Sequence, residues 1–217
     1  MPRESKAAKR ERAAIVTRRI DSLYPAAEPA LHFRDAFECV IAVSLSAQTT
    51  DARVNEVIPE LFGSYGTPAR MAEADPADVE RIIHSVGFFR SKARNCIGAA
   101  QMILSEFGGE VPSTMEELQR LPGVGRKTAN IVMNTCFGKC EGIAVDTHVF
   151  RIAHRLRLSA ADDPTATEQD LLALIDREWW PRVNDEWIRF GRETCTARRP
   201  ACGECALADV CPSAPGC

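Results

Sequence analysis

Three sets of residues in this 217-residue chain have the types and spacing for chemistry. The first is Lys127, within Leu121-Pro122-Gly123-Val124-Gly125-Arg126-Lys127-Thr128-Ala129-Asn130. Pro122 fixes its own dihedral, and Gly123 and Gly125 permit backbone angles and close approaches that a β-carbon forbids. The segment therefore reads as a tight turn into a helix that carries Ala129, Val132, Met133 and Cys136 at i, i+3, i+4 and i+7. Lys127 falls in the first turn of that helix, where the positive end of the dipole and Arg126 disfavour an ammonium. Partial desolvation pushes the same way, and a neutral lysine amine is a nucleophile towards carbonyl-like carbon. The plainer alternative is a solvated or phosphate-contacting lysine. Bare amides from Gly123 to Arg126 at a helix N-terminus suit a phosphate, and without a preceding strand or P-loop spacing that phosphate belongs to a polymer backbone.

Asp146 is the second. It follows Ile143-Ala144-Val145 and heads a segment with Val149, Ile152, Ala153 and Leu156 on one face, so it reads as a helix cap. The same helix N-terminus keeps its carboxylate ionised at neutral pH. His148 reads as a packing or hydrogen-bonding residue. The third set is Cys195-x6-Cys202-x2-Cys205-x5-Cys211, four thiolates within seventeen residues that can reach one metal centre. Disulfides fit poorly with nine cysteines and no apolar signal core in the first twenty residues. Zinc and an iron-sulfur centre both remain open, because spacing alone does not settle the metal. Cys39, Cys96, Cys136, Cys140 and Cys217 fall outside the set, the first three on apolar helical faces where thiols are inert.

Taken together, LPGVGRKTAN, VDTH at Val145 to His148 and the four cysteines resemble the endonuclease III family of DNA glycosylases, in the same order and over about Ala30 to Cys211. The resemblance implies a helix-hairpin-helix element with Lys127 and Asp146 as catalytic residues, and a 4Fe-4S cluster on Cys195, Cys202, Cys205 and Cys211. It implies removal of oxidised pyrimidines from duplex DNA, followed by strand cleavage through a Schiff base and β-elimination. Leu45-Ser46-Ala47-Gln48-Thr49-Thr50-Asp51 is similar to a segment whose glutamine enters the gap left by an extruded nucleotide, and Gly87-Phe88-Phe89 to a loop with an apolar wedge. Gln48 and Phe88 are the matching residues, although many members carry leucine or isoleucine at the second. Extrusion of a base costs a few kcal/mol, which a side chain filling the gap partly offsets. Two alternatives stand beside this reading. One is a monofunctional mismatch glycosylase using Asp146 and water, whose members typically lack this lysine; the other is a non-catalytic DNA-binding module held by its metal.

The elements that must position these residues read as helical throughout. Asp35 can cap a segment that is apolar almost all round, Asp51 one that Gly63 ends, and Asp75-Pro76 one that reaches Gly87. Ser91 opens another that Gly108-Gly109 closes, and either Ser113 with Glu116 or Thr114 with Glu117 can form a capping box before the hairpin. Thr165 and Glu168 form a second box. No period-two strand is evident, so the expected fold is all-α: a six-helix bundle with the hairpin at 30–139, and a smaller helical domain from 1–29 and 140–217 with the cluster loop. Pro25 and Pro29 mark the first boundary. Trp179, Trp180 and Trp187 give the smaller domain its bulk.

Composition sets outer limits. The formal charge of −3 excludes a uniformly basic nucleic-acid coat but not a basic face. Arg3, Lys6, Lys9, Arg10, Arg12, Arg18 and Arg19 cluster at the start as a solvated helix or a supplementary DNA contact, and Arg198-Arg199, with Arg189 and Arg192 upstream, can track DNA phosphates. No apolar run reaches the roughly 18 residues of a membrane span. The expectation is a monomeric enzyme of the cytoplasm and nucleoid, with duplex DNA as its partner.

Overall fold

The computed structural model describes residues 4–25 and 30–214. Arg3, Pro29 and Cys217 lie outside the described residues. Among those described there is no strand, and the fold is all-α. The chain forms two compact units, one from Pro29–Glu141 and one from Met1–Glu28 with Gly142–Cys217.

The continuous unit contains α2 to α8, since α1 (Lys6–Leu23) belongs to the other. Its helices are α2 (Ala36–Leu45), α3 (Asp51–Tyr65), α4 (Pro68–Ala72), α5 (Pro76–Ile82), α6 (Phe89–Phe107), α7 (Met115–Leu118) and α8 (Arg126–Phe137). Helix α2 is central: Phe37, Cys39 to Val43 and Leu45 are all buried, because a helix that is apolar all round has no face to give to water. It packs on α8, and α6 packs on α4 and α5. Asp35 caps α2 through the Glu38 amide, and Asp75 with Pro76 opens α5. Thr114 opens α7, accepting from the Glu117 amide while its hydroxyl meets Glu117 Oε2 at 2.7 Å.

Several boundaries differ from the sequence reading. Helix α3 is capped by Thr50, not Asp51, and it passes Gly63 to end at Tyr65. Thr50 presents its hydroxyl to the Arg53 amide, so Asp51 serves the dipole from inside the first turn. Helix α5 stops at Ile82, short of Gly87, and α6 opens two residues before Ser91. The short α4, with Thr67 as cap and Pro68 in its first turn, carries too few residues to show a period.

The discontinuous unit holds α1, α9 (Thr147–Arg155), α10 (Pro164–Leu172) and α11 (Trp180–Glu193). Helix α11 packs on α9 and α1 around Val16, Ile20, Val149, Ile152, Trp187 and Phe190. Trp187 is fully buried, while Trp180 is partly buried and donates its indole N–H to Ile175 O at 2.9 Å. Asp163, with Pro164 behind it, caps α10 in place of Thr165. Beyond α11 the described residues form short 3₁₀ turns at Cys202–Glu204 and Ala208–Val210.

Candidate functional site

Lys127 stands where the sequence places it, in the first turn of α8. The preceding turn is tight. Val124 N–H donates to Leu121 O at 3.0 Å, and Gly123 sits at φ 81°. A Cβ on Gly123 would lie 2.9 Å from Asn95 Nδ2, so this position excludes side chains on both conformation and space. Val124 is buried and anchors the turn from beneath, whereas Gly123, Gly125 and Lys127 are exposed. Gly125 is the N-cap of α8 and, as a glycine, supplies no side-chain acceptor to the first turn. Because Lys127 is exposed, the partial desolvation expected from the sequence is not supplied by the protein's own packing.

Asp146 shows the opposite treatment of a helix N-terminus. Its Oδ1 accepts the amides of His148 and Val149, each at 2.8 Å, and its Oδ2 lies 2.9 Å from His148 Nδ1. The carboxylate is thus held by two main-chain donors, and an imidazole facing it presents a donor at Nδ1. His148 has the hydrogen-bonding role read from sequence, with its partner now identified as Asp146. Gly191 of α11 admits this ring: a Cβ there would come within 3.1 Å of His148 Cβ and Cδ2.

The loop candidates share an unusual backbone. Gln48 adopts φ 55° and Phe88 φ 59°, left-handed conformations that cost a non-glycine residue about 1–2 kcal/mol. Both side chains are exposed. Phe88, at 68%, is the most exposed large hydrophobic residue among those described. Its neighbour Phe89 is the packed member of the pair, with the His84 ring 4.8 Å away and the Arg90 guanidinium over its face. Strain together with exposure is what a side chain built for an outside partner shows.

Sequence reasoning missed Lys92. This lysine of α6 is buried, and its Nζ donates to Leu45 O at 2.8 Å, Ala47 O at 2.6 Å and Thr49 Oγ1 at 3.0 Å. Burial pulls its pKa below the usual lysine range. No local signal could have found it, since its acceptors lie more than forty residues upstream.

Cys195, Cys202, Cys205 and Cys211 line one cavity of about 60 Å³, with Ile152, Leu156, Phe190 and Leu207 forming its apolar wall. Among the described residues no three His, Cys, Asp or Glu side chains converge as ligands of a single ion. Four cysteine sulfurs around one cavity are the donor set of an iron-sulfur cluster as well as of zinc. Burial raises the Cys205 and Cys211 thiols, and neighbouring cysteines add to it, so this pocket favours thiolates only once cationic metal shares it. Arg155 donates to Cys195 Sγ at 3.3 Å and to Thr196 O at 2.7 Å, and Arg151 donates to Cys195 O at 3.1 Å. These hydrogen bonds fix the loop that presents Arg198 and Arg199, both exposed. Elsewhere burial lifts Cys96 to about 12, and Cys39 is raised by its hydrogen bond with Cys136 and by burial.

Comparison with known proteins follows the same division. Residues 41–177 match the family described as HhH-GPD superfamily base excision DNA repair protein, and residues 195–211 match the iron-sulfur binding domain of endonuclease III. The chain is 47% identical to endonuclease III of Synechocystis sp., covering 96% of this chain and 95% of that one. It is similar, at 39% identity and a TM-score of 0.89, to the solved structure of a non-covalent endonuclease III–DNA complex, with 98% of this chain and 97% of that chain covered. A trapped endonuclease III–DNA covalent intermediate matches at the same identity and TM-score, with 98% of each chain covered.

Proposed function

This chain belongs to the endonuclease III family and is a DNA glycosylase and abasic-site lyase of base excision repair with a 4Fe-4S cofactor, and from that premise we propose that it removes oxidised pyrimidines from duplex DNA with Lys127 and Asp146 as its catalytic residues. The observation that carries the assignment of Lys127 is its place in the first turn of an uncapped helix behind a buried-valine hairpin. The turn's amides and Arg126 hold the DNA backbone, and the amine meets the sugar.

In its neutral form the Lys127 amine attacks C1′ of the extruded nucleotide, and the damaged base leaves with the bonding electrons. Loss of the amine proton and opening of the sugar ring give a Schiff base between Nζ and C1′. Removal of a C2′ proton then expels the 3′ phosphate by β-elimination. Asp146, held in place by its amides, stabilises positive charge developing at the sugar and accepts a proton during attack. Gln48 and Phe88 fill the space vacated by the nucleotide, and Arg198 and Arg199 contact phosphates. Cys195, Cys202, Cys205 and Cys211 would hold the cluster, which when bound would give the loop its shape. The proposed working form is a monomer in the cytoplasm and nucleoid; among the described residues no helix is long and apolar enough to cross a membrane.

Strand cleavage tests this function. The purified protein should incise a duplex with a single abasic site on its 3′ side without added metal, and should release an oxidised pyrimidine from an otherwise identical duplex. Base release without incision of the abasic duplex would favour the monofunctional mismatch glycosylase, and binding with neither activity would favour the DNA-binding module.

A further inference from the structure

Gln48 and Phe88 lie forty residues apart in sequence, yet their backbones meet. A Cβ on Gly87 would stand 3.5 Å from Gln48 O and 3.6 Å from Thr49 Oγ1, so the two left-handed residues belong to adjoining loops. One residue bonds to both. The Lys92 side chain donates to Ala47 O and Thr49 Oγ1, the neighbours of Gln48 on either side, and to Leu45 O, a carbonyl at the end of α2 that has no helical partner of its own. The Lys92 amide donates to Phe88 O at 3.1 Å, the bond that starts α6 from its left-handed residue.

All three ammonium donors are thereby used inside one loop. A buried charge is costly, and an aliphatic residue fills space without that cost. What the ammonium does and a methionine cannot is satisfy three oxygens that converge from a strained turn. Cation and helix C-terminus also attract each other, which favours leaving α2 at Leu45 rather than continuing it through Gln48.

We propose that Lys92 is a positioning residue for nucleotide extrusion, tying the Gln48 loop to the start of α6 so that Gln48 and Phe88 enter the duplex as one preformed wedge. The proposal rests on the reading of those two side chains as the ones that enter DNA. Without the tie each loop orders separately on the duplex, and extrusion slows while attraction to the DNA backbone is unchanged. A misplacement of 1 Å in such a constellation can cost about 100-fold in rate.

The test uses the full-length, iron-loaded protein and a duplex with 2-aminopurine opposite a non-cleavable tetrahydrofuran abasic analogue. Fluorescence reports unstacking of the partner base in stopped flow. Lys92→Met should slow the fluorescence rise by about tenfold or more, slow single-turnover base release by the same factor, and leave affinity for undamaged duplex within about twofold. Lys92→Arg, which keeps charge and donors, should recover much of the rate. Thr49→Val removes a single acceptor and should give a smaller loss of the same kind; if Lys92→Met does not fold, this variant decides. Wild-type unstacking in Lys92→Met, or in Thr49→Val where the former is unfolded, overturns the proposal, as does a parallel loss of undamaged-duplex binding. Gln48→Ala and Phe88→Ala run alongside. If both leave the signal unchanged, the reading of the wedge fails and Lys92 falls with it, whereas a loss in both beside a normal Lys92→Met removes Lys92 alone.

Discussion

Two helix N-termini carry the proposed chemistry, and the protein treats them in opposite ways. At α8 the cap is Gly125, with no side-chain acceptor, and Lys127 is exposed in the first turn. At α9 the cap is Asp146, whose carboxylate takes two amides and faces His148. An N-terminus left open is a receptor for an outside anion; one closed by a carboxylate is a device for holding that carboxylate still. The first must wait for DNA to complete it. The second is complete before DNA arrives.

Short of removing the nucleophile itself, the largest expected effect comes from removing the charge at the closed end. Asp146→Asn keeps an oxygen for the amides of His148 and Val149, so the fold should persist while base release slows by about 100-fold or more. On a preformed abasic site, where the glycosidic bond is already gone, the same variant should retain a larger share of its activity. Equal losses on the two substrates, read in single-turnover assays, would place Asp146 in a step other than base release.

Closing the open end should harm function without harming the fold. A side chain on Gly125 meets nothing within 4 Å, and its backbone is extended, so Gly125→Asp can place a capping carboxylate over the α8 amides. Helix stability should change by no more than about 1 kcal/mol, while affinity for duplex falls by about tenfold or more through repulsion of the phosphate. Unchanged affinity by fluorescence anisotropy would show that the amides of α8 do not receive DNA.

A milder change is expected from the cluster loop. Arg198→Ala with Arg199→Ala should weaken binding to damaged and undamaged duplex alike and reduce the slope of log K against log salt by about 0.9 for each phosphate that the variant no longer neutralises. A slope identical to wild type would remove this loop from the interface.

The smallest effect concerns stability and pH. Glu186 of α11 is buried, and burial followed by the Asp21 carboxylate pushes it up to about 8, against the pull of Arg182. Folded Glu186 therefore holds a proton that the unfolded carboxyl releases near 4.5. Its contribution is fully present below that value and is lost as pH rises through about 8. Glu186→Gln should flatten the fall in thermal midpoint between about pH 4.5 and 8, the window this shift defines. A wild-type slope in the variant would assign the alkaline loss to another group.

Local signals made much of this legible in the sequence. Asp35, Asp75-Pro76 and Asp146 each cap where their side chains predict, because a cap needs only the next three residues, and of the two candidates Ser113 and Thr114 it is Thr114 that caps. Where two candidates compete, the outcome depends on where the chain turns: Thr50 takes the cap from Asp51, and Asp163 with Pro164 takes it from Thr165. Helix α6 begins on Phe88 with no capping side chain at all, held from its first turn by Lys92. That lysine reads as an ordinary helical position because all its side-chain acceptors lie far upstream. Long-range polar interactions of this kind are where single-sequence reasoning has nothing to count.

The central claim is that Lys127 supplies the nitrogen that bonds to DNA, and borohydride trapping tests it most directly. Wild-type protein mixed with an abasic duplex and reduced should yield a covalent adduct carried by Lys127 in a digested, mass-analysed sample. Lys127→Gln should still bind the duplex and yield none. Adduct from Lys127→Gln at the wild-type level would contradict the account.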